Sequence, residues 1–173
     1  MVKALLIIDV QRGMFEDPNY QPHDGPATVA RMRALLDDAR ARKVPVFFVQ
    51  HDGGPGDPLA AGSSGFPIVD ELAPRPGEPV TVKRESSAFD GTDLEQKLRS
   101  AGIDQLVVCG MQSDFCVSAA VYAAAGLGFD VTLVSDAHTT CDNPETSAER
   151  TIAERNEALR AVATIVPSSE IAL

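Results

Sequence analysis

The sequence is poor in the residues that build disulfide scaffolds, metal centres, nucleic-acid faces and membrane spans. Its 173 residues hold three cysteines and three histidines. Cys109, Cys116 and Cys141 are odd in number and widely spaced. With no CxxC and no Cys/His ligand spacing, a disulfide framework is excluded and a reducing cytoplasm fits. His23, His51 and His138 are scattered among separate segments, so no metal and no other cofactor is expected. Positive charge is also short: the net charge of −10 argues against a phosphate-neutralising face, and so against nucleic acid. The N-terminal apolar run, Ala4 to Ile8, is too short for a signal segment or a membrane span, and no membrane partner is expected. The remainder is ordinary for a soluble globular protein, and one domain, residues 1–173, is the simplest organisation.

Apolar runs of strand length alternate with helical patterns. Strands are expected over 3–9, 44–50, 80–83, 106–109, 129–135 and 163–166. Val29, Met32, Leu36 and Ala39 recur at helical spacing after Pro26 and Thr28. Thr92 and Glu95 form a capping-box pattern before Leu94 and Leu98, and Gly102 closes that helix. Asn143-Pro144 opens a last helix with Ile152, Leu159 and Val162 inward. Between strands two and three, residues 51–77 are dominated by glycine and proline. They read as a long excursion with one helical turn near 69–72, anchored by Phe66, Ile68, Val69 and Leu72, that covers a pocket. This pattern predicts a three-layer α/β/α fold with a six-stranded, mostly parallel, Rossmann-like sheet.

In such sheets the ligand site lies beyond the carboxyl ends of the strands. Three chemically notable residues fall at that edge. Asp9 ends the first strand and Lys83 the third. Cys116 follows the fourth, where the stretch DQLVVCGMQSDFCVSAAVYAAAGLG (104–128) passes from a β-branched run through a polar turn into an alanine-rich helix. A thiol at a helix start feels the partial positive charge there, which favours thiolate. Asp9 is a candidate general base, Lys83 a candidate holder of the thiolate, and the N–H groups of Gln112 and Cys116 candidate oxyanion donors. Each has a structural alternative: Asp9 as a cap or ion-pair partner, Lys83 as a solvated strand end, Cys116 as a buried inert thiol.

The pieces ALLIIDVQRGMF (4–15), VFFVQHDG (46–53), VKRESSAFDGTDL (82–94), LVVCGMQSDFCVSAA (106–120) and VTLVSDAHTT (131–140) together resemble the isochorismatase-like cysteine hydrolases. That superfamily includes nicotinamidase, N-carbamoylsarcosine amidohydrolase and ureidoacrylate amidohydrolase. The resemblance implies a six-stranded parallel sheet with helices on both faces and an Asp–Lys–Cys triad matching Asp9, Lys83 and Cys116. It implies a cis peptide between Met111 and Gln112, a thioester intermediate on Cys116, and a homo-oligomer, dimer or tetramer. The chain lacks the histidines with which nicotinamidases hold a metal, so nicotinamide is not the expected substrate. Isochorismatase proper splits a vinyl ether without a nucleophilic cysteine, so Cys116 points to a small-molecule C–N bond: amide, ureido or lactam. A streptothricin-hydrolase-like lactam hydrolase, a non-catalytic binding member of the same fold and a thiol redox protein are the alternatives. Gln11, His51, Phe89 and Met111 are expected around the substrate, Gln11 through a hydrogen bond and Phe89 as an apolar wall, with Tyr122 a further candidate. His138 and Asp136 are expected to organise the loop after strand five, Cys109 to lie in the core, and Cys141 to be an incidental loop thiol.

Overall fold

The structure is a computed structural model and describes residues 1–18 and 21–173. Successive side chains leave a strand in opposite directions, so an unbroken apolar run must be covered on both faces. In β1 (Lys3–Ile8), Leu5 and Ile7 enter one core layer while Ala4, Leu6 and Ile8 enter the other. The first layer is closed by α1 (Gly25–Arg42) through Val29, Met32, Leu35, Leu36 and Ala39. The second is closed by α2 (Leu94–Ser100), α3 (Ser118–Gly126) and α4 (Ala148–Leu159) through Leu94, Leu98, Ala120, Val121, Ala124 and Leu159. Each fully buried leucine or isoleucine contributes about 1.5–3 kcal/mol, which is why the sheet sits between helices.

The other strands are β2 (Val46–His51), β3 (Val80–Lys83), β4 (Gln105–Met111), β5 (Asp130–Thr139) and β6 (Thr164–Val166). Their order is β3-β2-β1-β4-β5-β6, and every pairing is parallel, one step beyond the mostly parallel sheet expected. The chain moves outward from β1 to β3, then returns to lay β4 on the other side of β1. Strand order therefore reverses between β1 and β4, and the crevice at their carboxyl ends is the switch point where such sheets take ligands.

Several elements differ from expectation for reasons that lie outside their own residues. The capping box does not form. α2 begins at Leu94, and Thr92 Oγ1 donates to Ala88 O at 2.6 Å while accepting from Leu94 N–H at 3.3 Å. α4 begins at Ala148 rather than at Asn143-Pro144. Asn143 Oδ1 accepts from the N–H groups of Glu145 and Thr146, folding that stretch into a turn, and Ser147 becomes the N-cap by accepting from Arg150 N–H. Leu159 points inward as expected, but Val162 lies past the helix end and is 38% exposed.

β5 continues four residues beyond Ser135, so Asp136 and His138 belong to a strand and not to a loop. It advances five residues, Leu133 to His138, while β4 advances two, Val108 to Gly110. The extra residues bulge away from the ladder. Gly110 is the pivot: its φ is +132°, and a Cβ there would stand 2.2 Å from Ile8 O. A side chain would collide with the backbone of β1 next to Asp9.

The excursion between β2 and β3 is laid against the segment after β1. Arg12 N–H donates to Pro67 O, Gly13 N–H to Gly65 O and Val69 N–H to Val10 O. Gly13 and Gly65 touch backbone to backbone, since a Cβ on Gly65 would lie 2.8 Å from Gly13 Cα. Ile68, Val69 and Leu72 are buried anchors, and Asp70–Leu72 forms the short helical turn. Among the described residues, no helix is long and apolar enough to cross a membrane.

Candidate active site

Asp9 leaves β1 with φ +51°, a left-handed conformation that costs a non-glycine residue about 1–3 kcal/mol. Its N–H is held by Val49 O, and its carboxylate is fully buried. Lys83, the last residue of β3, extends its stem through the interior with a side chain that is 0% exposed. Its Nζ stands 2.8 Å from Asp9 Oδ2, 3.0 Å from Glu85 O, 3.2 Å from His51 Nδ1 and 3.2 Å from Cys116 Sγ. Residues from the ends of β1, β2 and β3 and the turn after β4 thus meet around one ammonium; the ends of β1 and β3 and the turn after β4 are those the sheet-edge argument expected there.

Cys116 sits in a π-helical turn, Ser113–Val117, that precedes α3. The peptide between Met111 and Gln112 at the head of this turn is cis. Phe115 N–H and Val117 N–H both donate to Gln112 O, and the Cys116 N–H between them is not part of that set. The turn is pinned from behind. Ser113 Oγ meets His138 Nδ1 at 2.8 Å, His138 Nε2 meets Asn156 Oδ1 at 2.9 Å, and Asn156 Nδ2 donates to Ser135 O. Asn156 Oδ1 can only accept, so His138 carries its hydrogen on Nε2 and receives the Ser113 hydroxyl at Nδ1. Burial holds the His138 pKa below its ordinary value, which keeps that tautomer neutral. The bulge in β5 brings this histidine to the turn.

The electrostatics reverse one expectation. Burial, together with the negative charge of Asp9, pushes the Cys116 thiol up to about 11, and the nearby Lys83 only partly opposes this. The resting sulfur is therefore a thiol and needs a base. Burial also raises Asp9 above the usual carboxylate range, against the ion pair with Lys83. A carboxylate with raised proton affinity beside a thiol, with a fixed cation touching both, can take the sulfur's proton at lower cost than an ordinary carboxylate would. Cys109 lacks such neighbours; burial alone pushes it up to about 12, inside the core beneath α1.

The remaining expected residues are distributed unevenly. His51 reaches the cluster. Gln11 is fully buried, but its amide is spent on backbone, donating to His51 O and Phe66 O and accepting from His51 N–H. Phe89 packs against the core and Phe129, with ring centroids 6.2 Å apart. Met111 is buried in the core layer beneath α1, on the opposite face from the layer that Cys116 packs against. Tyr122 is half exposed on α3. Asp136 binds Ser168 N–H and Oγ, tying down the C-terminal segment. Cys141 Sγ lies 3.6 Å from Gln112 Nε2, so it borders the turn.

Asp52 and Arg84 escaped the sequence reading. Asp52 Oδ1 accepts from Gly54 and Ala61 N–H and Oδ2 from Arg84, which hold its pKa below the ordinary value and tie the start of the excursion to the residue after Lys83. An aspartate before Gly-Gly at a strand end is an Asx-turn signal that could have marked it. Among the described residues no three His, Cys, Asp or Glu side chains group as a metal ligand set.

This architecture has many solved counterparts. A protein of the isochorismatase family from Chromobacterium violaceum superposes with a TM-score of 0.91 at 34% identity, covering 97% of this chain and 90% of that one. N-carbamoylsarcosine amidase from Thermoplasma acidophilum superposes with a TM-score of 0.80 at 26% identity, covering 99% of each. In sequence, a streptothricin hydrolase of Streptomyces noursei is 37% identical over 143 residues, 83% of this chain and 51% of that protein, so the chain spans about half the length of that relative. The family model described as the isochorismatase domain matches residues 3–165, from the first residue of β1 into β6. With that match running through every strand of the sheet and every residue of the Asp9–Lys83–Cys116 cluster, the chain belongs to the isochorismatase family.

Proposed function

We propose that this protein hydrolyses a small-molecule C–N bond through a thioester on Cys116, with Asp9 as proton carrier and Lys83 as charge holder. One observation carries the reading: a single buried ammonium touches both the Asp9 carboxylate and the Cys116 sulfur, while the thiol is held protonated. Asp9 takes the thiol proton as Sγ bonds to the carbonyl carbon, and the C=O electron pair moves onto oxygen. The N–H groups of Gln112 and Cys116 receive that oxyanion. Collapse breaks the C–N bond, and Asp9 passes its proton to the departing nitrogen. Water then adds to the thioester, again losing a proton to Asp9. The C–S bond breaks to release the acid, and the sulfur recovers its proton. Atoms balance with water as the one co-substrate.

The substrate class is an amide, a ureido compound or a lactam. The relative named an amidase supports the first two, and the streptothricin hydrolases support the third as the alternative reading. The test is release of ammonia or amine from panels of amides, carbamoyl compounds and lactams, with Cys116→Ala as control. Turnover should come with an acyl adduct on the Cys116 peptide, trapped by acid quench and seen by mass. Hydrolysis that persists in Cys116→Ala would sink the mechanism.

A further inference from the structure

The hydrogen-bond arithmetic of Lys83 gives His51 a role. An ammonium has three N–H donors and accepts nothing. The three hydrogen bonds of Lys83 go to Glu85 O, His51 Nδ1 and Cys116 Sγ, while Asp9 Oδ2 stands 2.8 Å away as an ion-pair partner that takes no hydrogen bond. These neighbours divide into two kinds. Glu85 O and His51 Nδ1 keep the same character throughout a cycle. Asp9 and Cys116 exchange charge, the carboxylate being ionised when sulfur is a thiol and neutral when sulfur is a thiolate.

We propose that His51 is a positioning residue for the lysine: its Nδ1, with Glu85 O, occupies two N–H donors and holds the third on Cys116 Sγ, beside Asp9. As the proton leaves sulfur for the carboxylate, that N–H already faces the sulfur, whose electron pair has just become available. This rests on the reading of Cys116 as nucleophile and Asp9 as its base. The imidazole tautomer follows, because a nitrogen facing an ammonium must present a lone pair, so His51 carries its hydrogen on Nε2.

The backbone is arranged to aim that ring. His51 N–H donates to Gln11 Oε1 at 2.8 Å, and its carbonyl accepts from Gln11 Nε2 at 3.0 Å. In the sheet His51 is paired directly with Lys83. Gln11 is buried and grips main chain alone, so it sets where His51 stands whatever side chain position 51 carries. Without the Nδ1 acceptor, the ammonium is free to settle on the charged carboxylate, its shorter contact, and to draw away from sulfur.

The test reads the thiol directly and needs no substrate. The rate of Cys116 alkylation by iodoacetamide at neutral pH, resolved from Cys109 and Cys141 by peptide mass, is compared in three proteins. His51→Leu is expected to react about tenfold more slowly, the effect of weakening one hydrogen bond to a charged group. His51→Asn, whose Oδ1 can accept in place of Nδ1, is expected to recover to within about threefold of the parent, a recovery that a merely structural role would not produce. A parental rate in His51→Leu, or an Asn variant as slow as Leu, overturns the proposal. Imidazole 15N shifts of the unmutated protein decide independently should the Leu variant not fold: an Nε2–H tautomer at His51 supports the assignment, and an Nδ1–H tautomer refutes it. A parent protein inactive on every C–N substrate would remove the hydrolase reading and leave these outcomes standing.

Discussion

At the carboxyl edge of the sheet Lys83 Nζ stands 2.8 Å from Asp9 Oδ2, and at the amino edge Arg40 Nη2 stands 2.8 Å from Glu78 Oε2. The distances are the same, yet the two carboxylates move in opposite directions. Burial opposes the charge on Glu78, but a two-pronged hydrogen bond from Arg40 and another from Arg75 N–H outweigh it, and the pKa falls below the ordinary value. Burial at Asp9 is complete, no backbone N–H reaches the carboxylate, and its pKa rises. An ion pair supplied with extra donors keeps its charge and ties α1 to the start of β3. A pair stripped of them holds a carboxylate ready to take a proton.

That difference can be broken in several ways, the largest first. Cys116→Ala should lower turnover by at least ~10⁴-fold, the scale seen when a nucleophile acting within a unit is removed. Its thermal midpoint should stay within a few degrees of the parent. A retained rate in the ammonia-release assay would place the chemistry elsewhere.

Gly110→Ala attacks the support of the same edge. The new methyl would meet Ile8 O, and the φ of +132° is closed to alanine, so a loss of about 3–5 kcal/mol or outright failure to fold is expected. Denaturant unfolding measures it; a stable variant would mean that β1 and β4 can part without cost.

Glu78→Gln should separate the two edges. Removing the charge that Arg40 pairs with costs about 2 kcal/mol, less than the ~3–5 kcal/mol of a fully buried pair because both side chains keep some exposure. For a chain this size that is a fall of roughly 4–8 °C in the thermal midpoint. Activity should be unchanged within about twofold, a surface-like effect on chemistry. Lost turnover at full stability would erase the distinction.

The pH responses give the finest test. Glu78 has its folded pKa below its unfolded one, so its stabilisation is present above about pH 4.5 and is lost as pH falls through the folded value. Asp9 has the opposite sign: the folded state binds its proton more tightly, so stability from this group declines as pH rises from 3.8 through the folded value. The acid limb of the pH–rate profile should therefore lie above the ordinary carboxylate range, since the proposed mechanism needs ionised Asp9. It should be unmoved in Glu78→Gln, while the acid loss of thermal stability in that variant becomes shallower. An acid limb at the ordinary aspartate value would contradict a raised Asp9.

The strands were legible because a parallel strand buried on both faces requires an unbroken apolar run, and few other uses of the chain produce one. ALLII and LVVC state their environment locally. The edge residues Asp9, Lys83 and Cys116 were legible because a charge or thiol ending such a run must emerge where the strands end. Gln11 misled because its sequence neighbours show only that it follows Asp9; the amide is consumed by His51 and Phe66, which are 40 and 55 residues away in sequence. Met111 and Cys116 are five positions apart but pack against opposite core layers, and the turn that divides them is not encoded as a residue type. The capping box at Thr92 lost to a carbonyl four residues back, a competition that pattern alone does not rank.

By itself the sequence determined the alternation of strand and helix, the parallel sheet and which three side chains, Asp9, Lys83 and Cys116, stand at its carboxyl edge, because periodicity and residue chemistry are local properties. The tertiary structure decided what those side chains are. Proton affinity depends on burial and on charges brought from distant segments, so a cysteine expected as thiolate at a helix start became a thiol near 11. Burial likewise raised the proton affinity of an ordinary aspartate, and the fold placed one ammonium within 3.2 Å of both groups.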